Sequence, residues 1–169
     1  MKYTISMLKC NFEDGNPVLL RHVCVDTLLI RDGQILLNKR GTFGGRKILE
    51  YGKWGLIGGF VERDENLEQA VSREVMEETA WSIDELFLFR INDNPNRPKE
   101  DRQNISFVYV AKAKEQIGKS DDEEVLSLQW FALDKLPKVE EIAFDHGENI
   151  ELYKKWLREQ FALPVMGKI

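Results

Sequence analysis

Three glutamates in the middle of the chain have the spacing needed to bind one cation together. Glu74, Glu77 and Glu78 stand at positions i, i+3 and i+4, so on a helix their carboxylates would share one face, about 5–6 Å apart. Like charges repel there, and the negative end of a helix dipole disfavours each anion by roughly 0.3–1 kcal/mol. A divalent cation such as Mg²⁺ or Mn²⁺ would turn this cost into binding energy. The alternative is a solvated acidic face, which is the commoner meaning of such a triplet taken alone.

The element that must carry these glutamates is an amphipathic helix. Apolar residues recur at helical spacing at Leu67, Ala70, Val71 and Val75. This pattern predicts a helix over about residues 66–79, and the three glutamates then lie in its last turns.

Strands are predicted on both sides of this helix. Asp32-Gly33 joins the apolar runs 23–30 and 34–38, which predicts a β-hairpin. The other predicted elements are a Gly-rich loop at Gly41, Gly44 and Gly45, strands over 85–91, 104–113 and 126–133, a charged loop over 92–102, and a helix over about 144–161. This order predicts an α/β fold with a mixed sheet between helical layers.

Residues 59–81 resemble the signature of a known family. Gly59, Glu65 and the run Arg73-Glu74-Val75-x-Glu77-Glu78-x-x-Trp81 are similar to the Nudix box of nucleoside-diphosphate-X hydrolases. Ala80 stands where the family has Gly, which would end the helix in a left-handed conformation, and Ile57 stands where many members have Pro. The resemblance implies a Nudix-like α/β/α sandwich in which residues 1–169 form one domain, with an extension or an additional strand over about the first 20 residues.

The resemblance also implies roles for the residues of the box. The implied metal ligands are the Gly59 carbonyl and the carboxylates of Glu74, Glu77 and Glu78, and the implied cofactor is Mg²⁺, with Mn²⁺ as a substitute. Arg73 would orient this cluster by pairing with Glu65, a structural task for a rigid planar donor.

One further carboxylate is implied outside the box. The acidic run 121–124 before Trp130 is similar to the loop that supplies it, and we choose Glu124 from this run, with Glu123 as the second choice. The alternative is a solvated acidic loop. Either Glu124 or Glu78 would accept the proton of the attacking water, and the sequence does not choose between them.

The residues that would recognise the substrate are less specific. The segment 95–109 and the run 143–146 are similar to ADP-ribose pyrophosphatases, and Arg97 and Arg102 would bind the diphosphate or the terminal ribose as forked donors. We interpret Asp145 as a helix N-cap and His146 as a packed residue.

The region around the Gly-rich loop contains candidate residues for adenine stacking and for a further phosphate contact. Trp54, Tyr51 and Phe43 flank its glycines and could stack on an adenine, although such aromatic residues more often pack in a core. Arg40, at the end of a predicted strand, is a candidate phosphate ligand.

The function that the resemblance implies is Mg²⁺-dependent hydrolysis of the pyrophosphate bond of ADP-ribose or a related nucleotide sugar, to AMP and a sugar phosphate. A nucleoside triphosphate or NADH pyrophosphohydrolase is one alternative. A non-catalytic nucleotide-sensing module is the other, and the intact set of box carboxylates argues against it.

Composition narrows the partners. The chain has 169 residues and a formal charge of −5, which argues against nucleic acid or an anionic membrane as the main partner and leaves a small-molecule nucleotide. Two cysteines and no visible export signal favour the cytoplasm. Apolar residues near both ends could form a homodimer interface or pack against the chain's own core: Met7, Leu8, Phe161, Leu163, Val165 and Met166.

Overall fold

The computed structural model describes residues 8–97 and 103–167, with the backbone alone for residues 8 and 9. The strands are β1 (Leu8–Asn11), β2 (Pro17–Leu20), β3 (Val23–Arg31), β4 (Gln34–Arg40), β5 (Thr42–Phe43), β6 (Arg46–Lys47), β7 (Trp54–Gly55), β8 (Trp81–Asn92), β9 (Ile105–Gln116), β10 (Val125–Ala132) and β11 (Val165–Met166). The helices are α1 (Leu67–Thr79) and α2 (His146–Glu159), with a 3₁₀ turn at Val139–Glu141.

A seven-stranded mixed sheet forms the centre of the fold. Its main order is β10-β4-β3-β9-β8-β11, and β7 pairs with β4 beside this path. The pairs β3–β9 and β8–β11 are parallel, and the other pairs are antiparallel. Val71 and Val75 of α1 belong to one buried cluster, whereas Ile150 and Leu152 of α2 belong to another. The predicted mixed sheet between helical layers is confirmed.

The Asp32-Gly33 hairpin forms as the sequence predicts. Arg31 pairs with Gln34 across the turn, and both turn residues have positive φ, 49° at Asp32 and 74° at Gly33. A two-residue turn of this kind matches the right-handed twist of the flanking strands, and here it sets the register in which β3 meets β4.

The boundaries of α1 follow from local chemistry at each end. Asn66 and Gln69 form a capping box, in which each side chain accepts a hydrogen bond from the other's backbone N–H. Ala80 ends the helix with φ 56° and ψ 23°, and its N–H donates to Met76 O at 2.9 Å. Ala80 therefore adopts the left-handed conformation that glycine favours, at a cost of about 1 kcal/mol. The strand β8 starts directly after it, four residues earlier than predicted.

The start of α2 corrects one prediction. Asp145 stands at the N-cap position, but its side chain caps no backbone N–H. Its carboxylate accepts hydrogen bonds from Arg97 and from Asn92 instead. A charge-assisted pair with a buried guanidinium is stronger than a cap bond to a neutral N–H, which explains the exchange.

The predicted interface at the C-terminal end is also corrected. Phe161, Leu163 and Val165 pack against the cluster beneath α2, because β11 pairs in parallel with β8 and brings this segment back onto the sheet. Met166 remains 62% exposed, whereas Met7 lies outside the described residues. Neither α-helix of the described chain is long and apolar enough to cross a membrane.

Candidate active site

A cleft of about 940 Å³ lies beside the C-terminal half of α1. Its walls come from α1, from the loop before α1, from β3 and β4, and from the loop before β10. The predicted site residues that line it are Arg40, Gly59, Arg73, Glu74, Glu77, Glu78, Arg97 and Glu124. The fold therefore collects in one place residues that are far apart along the chain.

The segment before α1 is held tightly between β3 and the helix. The N–H of Val25 donates to the carbonyl of Gly59 at 2.9 Å. A Cβ on Gly59 would overlap the carboxylate of Glu74, and a Cβ on Gly58, where φ is 150°, would overlap the carbonyl of Val25. Gly58 is therefore needed for this approach, which places the Gly59 backbone against a box carboxylate.

Arg73 connects three glutamates through one guanidinium. Its Nε and one terminal nitrogen donate to the two carboxylate oxygens of Glu65, at 3.1 and 2.7 Å. Its other terminal nitrogen donates to Glu74 at 2.9 Å and to Glu77 at 3.0 Å. The Arg73–Glu65 pairing implied by the resemblance is present, and this hydrogen bond lowers the pKa of Glu65. A planar and permanently charged group can hold several carboxylates in this way.

Glu78 is the most deeply buried carboxylate of the cluster, with 5% of its surface exposed. Its Oε2 accepts a hydrogen bond from Asn38 Nδ2 at 2.9 Å. Burial raises the pKa of Glu78 well above its ordinary value and the charge of Glu74 adds to the effect, whereas Arg40 and Asn38 oppose it. Burial therefore favours the protonated form of this carboxyl when no cation is bound.

Glu74 is affected in the same direction. Burial is the main cause that raises the pKa of Glu74 to about 7, and the charges of Glu77 and Glu124 raise it further against the opposing effect of Arg73. Glu77 differs because its side chain is 53% exposed. The cluster thus combines two partly or fully buried carboxyls with one that faces solvent.

The donor set fits a hard divalent cation, although the side chains do not converge as they stand. Within residues 8–97 and 103–167, no three His, Cys, Asp or Glu side chains are arranged to hold one ion, since Glu74 and Glu77 both turn towards Arg73. The carboxylate of Glu74 nevertheless fills the space where a Cβ of Gly59 would lie. The raised pKa values of Glu74 and Glu78 mean that the cluster favours a positive charge among its oxygens. Carboxylate and carbonyl oxygens are the ligands that suit Mg²⁺ and Mn²⁺.

The acid loop, residues 120–124, contributes Asp122, Glu123 and Glu124 to the wall of the cleft. Glu124 lines the cleft, and its N–H donates to Asp122 Oδ1 at 2.8 Å. Glu123, the second choice for the additional carboxylate, accepts a hydrogen bond from the N–H of Gly44 at 2.6 Å. Glu123 is therefore directed towards the hairpin of β5 and β6, whereas Glu124 shares the cleft with the carboxylates of α1.

Arg40 lies where the sequence predicts a phosphate contact. It lines the cleft, its Nε donates to Leu49 O at 2.8 Å, and its guanidinium carbon lies 5.0 Å from the centre of the Phe144 ring. These contacts hold its charge close enough to oppose the raised pKa of Glu78.

Arg97 lines the cleft, but its guanidinium is already hydrogen-bonded to another side chain. The side chain is only 3% exposed, and its Nε and one terminal nitrogen donate to the two oxygens of Asp145, at 3.0 and 2.7 Å. The forked contact with substrate that the sequence predicts is therefore corrected to a buried pair that ties the loop after β8 to the start of α2. Arg102 lies outside the described residues.

His146 is packed, as the sequence interpretation has it. Its Nδ1 accepts a hydrogen bond from the N–H of Leu56 at 2.9 Å, and its Nε2 lies 3.5 Å from Asp26 Oδ1. Burial lowers the pKa of His146, which favours the neutral ring. Because Nδ1 accepts a hydrogen bond, the neutral ring carries its proton on Nε2.

The structure does not support the predicted stacking of Trp54 on an adenine. Its ring packs edge-on against Phe131, with centroids 5.0 Å apart, and it is not among the residues that line the cleft. Tyr51 lies beneath the ammonium of Lys47 and also stands outside the lining. Phe43 alone of the three aromatic candidates lines the cleft, with 66% of its surface exposed.

Sequence reasoning missed several residues that line the cleft or contact its lining. Asn38 and Asp26 act through partners 40 and 80 positions away along the chain, namely Glu78 and Ser106. One signal was available: Asp26 is a charged residue inside an otherwise apolar strand, and such a residue is buried only with a partner. Arg46 and Lys47 also line the cleft, and nothing in their immediate sequence distinguishes them from other surface cations.

Comparison with known proteins gives results that agree with this geometry. A family model described as "NUDIX domain" matches residues 20–153. An ADP-ribose pyrophosphatase of Methanocaldococcus jannaschii is 34% identical over 135 residues, which are 79% of this chain and 73% of that protein. An oxidized purine nucleoside triphosphate hydrolase of Danio rerio is 31% identical over 112 residues, 65% of each chain.

Solved structures agree at the level of the fold. A NUDIX hydrolase from Nitrosomonas europaea superposes with a TM-score of 0.71 at 21% identity, and the match covers 99% of this chain and 96% of that one. At that identity the likeness concerns the arrangement of helices and strands alone.

Proposed function

Because this chain belongs to the Nudix family, we propose that it hydrolyses the pyrophosphate bond of ADP-ribose or a related nucleotide sugar, to AMP and a sugar phosphate. It is a nucleotide pyrophosphohydrolase by family. Glu74, Glu77, Glu78 and the Gly59 carbonyl would hold Mg²⁺, which, when bound, neutralises phosphate oxygens and lowers the pKa of a coordinated water.

The observation that carries this proposal is the buried Glu78 beside Glu74 in a cleft shared with Glu124. Arg73 orients the cluster because its guanidinium contacts Glu65, Glu74 and Glu77 together. Glu124 would accept the proton of the attacking water, since it lines the same cleft as the carboxylates of α1 and its N–H donates to Asp122. Glu78 is the alternative base.

ADP-ribose is preferred because of the relative from Methanocaldococcus jannaschii, which bears that activity in its name. The cleft is also large enough for a dinucleotide-sized ligand, at about 940 Å³. Cations of its wall, Arg40, Arg46 and Lys47, would contact phosphate oxygens, and the exposed ring of Phe43 offers a surface for a base.

A panel of nucleotides tests this proposal. With Mg²⁺, the purified chain is expected to release AMP from ADP-ribose and to lose activity when the metal is chelated. Hydrolysis of no member of a panel of dinucleotides, nucleotide sugars and triphosphates would favour the non-catalytic sensing module instead.

Replacement of Glu78 tests the site. Glu78→Gln keeps the shape of the side chain and the hydrogen bond to Asn38, so the fold should persist, whereas turnover should fall by about 100-fold or more. Glu68→Gln, on an exposed position in the first turn of the same helix, is the matched control and should retain full activity. A fully active Glu78→Gln variant would contradict the assignment.

A nucleoside triphosphate pyrophosphohydrolase is the second candidate, and the relative from Danio rerio favours it. The two activities differ in their products: a triphosphate would yield inorganic pyrophosphate, and ADP-ribose yields AMP. Higher kcat/KM for any triphosphate than for ADP-ribose would reverse the order of the candidates.

The cytoplasm is our proposal for the compartment. Two unpaired cysteines support it, Cys10 exposed and Cys24 buried, because an exposed thiol remains reduced most readily there.

A further inference from the structure

A cationic hairpin borders the cleft. We use this name for residues 41–48, which include β5 and β6 and are closed at the base by the hydrogen bond from Ile48 N to Gly41 O, 3.1 Å. Its Arg46 and Lys47 are exposed and line the cleft. Within the described chain, Arg46 has no hydrogen-bond or ion-pair partner, and Lys47 contacts the ring of Tyr51 at 4.4 Å but no carboxylate.

These two cations differ from the other arginines of the cleft. Arg73 is held by the carboxylates of α1, and Arg97 is paired with Asp145. A phosphate that enters the cleft therefore finds charge available at Arg46 and Lys47, without the need to break an existing pair.

The side chain of Glu123 joins the cationic hairpin to the acid loop. Its carboxylate accepts hydrogen bonds from the consecutive N–H groups of Gly44 and Gly45, at 2.6 and 3.4 Å. Both glycines have positive φ, 55° and 72°, which turns their N–H groups towards one anion, as in other backbone anion sites. The charge of Glu123 is thus used to hold the tip of the hairpin.

The backbones of the two segments are also bonded directly. Gly41 N donates to Glu124 O at 2.7 Å, and Thr42 N donates to Glu123 O at 2.8 Å. A Cβ on Gly41 would come within 2.5 Å of the Glu123 carbonyl oxygen and 3.0 Å of the Glu124 carbonyl carbon. Only glycine permits this approach, so the hairpin and the acid loop form one bonded unit.

The same loop is attached to α1 at its other end. Ser120 Oγ donates to the backbone carbonyl of Glu77 at 2.6 Å and accepts from the N–H of Asp122 at 3.3 Å. The acid loop therefore bridges the helix that carries the carboxylates and the hairpin that carries the open cations.

We propose that Glu123 is a positioning residue that couples the cationic hairpin to Glu124, so that a substrate phosphate bound by Arg46 and Lys47 fixes the place of Glu124 at the reacting end of the cleft. This inference rests on the proposed function. Glu123 does not touch the reacting atoms, and it acts through the backbone of the residue that follows it.

Kinetics of a double-mutant cycle test the coupling. With ADP-ribose and Mg²⁺, Glu123→Ala should lower kcat about tenfold, the effect of losing one charge-assisted hydrogen bond, and change KM less. Arg46→Ala should raise KM and lower kcat in the wild-type chain, but it should no longer lower kcat in the Glu123→Ala chain. Glu123→Gln retains one acceptor oxygen and should restore part of kcat, and Asp121→Ala, an exposed neighbour, should match the wild type. Unchanged kcat in Glu123→Ala, or fully additive effects of the two substitutions, would overturn the proposal.

Amide hydrogen exchange provides a readout that needs no turnover. In the wild-type chain with Mg²⁺, inorganic pyrophosphate should slow exchange at the Gly41 amide, which is bonded to Glu124 O, and in Glu123→Ala it should not. Equal slowing in both chains would show that Glu123 does not couple the two segments. If the wild type hydrolyses no nucleotide but the two chains differ in exchange, the proposed function is wrong and the coupling is supported. If the wild type hydrolyses ADP-ribose normally but exchange slows equally in both chains, the proposed function is supported and the coupling is wrong.

Discussion

Each glutamate of the cluster on α1 has its own solvent environment. Glu78 is buried, Glu74 is partly buried, and Glu77 is exposed. Burial raises the pKa of Glu74 to about 7 and that of Glu78 well above its ordinary value. Because folding raises these pKa values, the metal-free folded chain holds extra protons between the ordinary carboxyl pKa and about pH 7, and a cation must displace them.

Metal affinity is therefore expected to rise with pH. For one carboxyl that titrates near pH 7, the deprotonated fraction increases about tenfold between pH 6 and pH 8, and the apparent affinity for Mn²⁺ should increase at least as much. Calorimetric titration of the metal-free chain with Mn²⁺ at both pH values measures this. Glu74→Gln should bind more weakly and with a smaller pH dependence, and equal affinity at the two pH values in the wild type would contradict the prediction.

One side-chain contact was expected because of the resemblance to the family. Glu65 and Arg73, eight positions apart around the start of α1, form the pair that the resemblance implies. The bond from Asn38 to Glu78 depends on which strand lies beside α1, and the sequence contains no local sign of that. The pairing of Arg97 was not predicted for the same reason, since its partner Asp145 is 48 positions away.

At the scale of elements, the Arg97–Asp145 pair joins the loop after β8 to the start of α2. Both side chains are 3% exposed, and loss of one member of such a pair leaves an uncompensated buried charge. The arginine therefore contributes to the position of α2, which also supplies His146 to the wall of the cleft.

Arg97→Met should consequently destabilise the fold by about 3–5 kcal/mol in urea unfolding. The double variant Arg97→Met/Asp145→Leu should recover part of the loss, because no charge remains buried without a partner. The control Arg46→Met removes an exposed cation and should leave stability unchanged to within about 0.5 kcal/mol. If Arg97→Met is as stable as the wild type but has a much higher KM, the substrate contact predicted from the sequence is correct and the structural role is wrong.

Long periodic elements were predictable, and short ones were not. The Asp-Gly turn and the apolar spacing of α1 determine their own conformations locally. The predicted ends of β3, β4 and α1 therefore all lie within two residues of the observed ones. The strands β5, β6 and β7 each have two residues, too few for any alternation. The acid loop holds the hairpin of β5 and β6, and β4 pairs with β7. The contact with the acid loop is a tertiary contact.

At the scale of the whole molecule, the hairpin of β1 and β2 is separate from the seven-stranded sheet. It pairs only with itself, and among residues 10–20 only Val18 is even partly buried. Phe12, Leu19 and Leu20 are 51%, 56% and 41% exposed. Two-stranded hairpins are marginally stable alone in water. The hairpin includes Leu8, one of the residues that the sequence analysis offers for a homodimer interface, so a change in this segment tests that prediction. The family match begins at residue 20, and the prediction of one domain with an N-terminal extension remains a prediction.

Removal of residues 1–20 separates these contributions. The deletion leaves β3 intact and also retains Arg21, whose side chain donates to Gln103 O and Asp93 O. Because the hairpin buries almost nothing against the sheet, the Tm of the truncated chain should fall by less than about 4 °C, the shift that corresponds to roughly 1 kcal/mol at this size. Light scattering should give a dimer for the full chain and a monomer for the truncated one, and Phe12→Ser/Leu19→Ser, which keeps the chain length, should also give a monomer. A full chain that is monomeric would show the homodimer prediction to be wrong, whereas a large fall in Tm at unchanged mass would mean that the first 20 residues belong to the folded core.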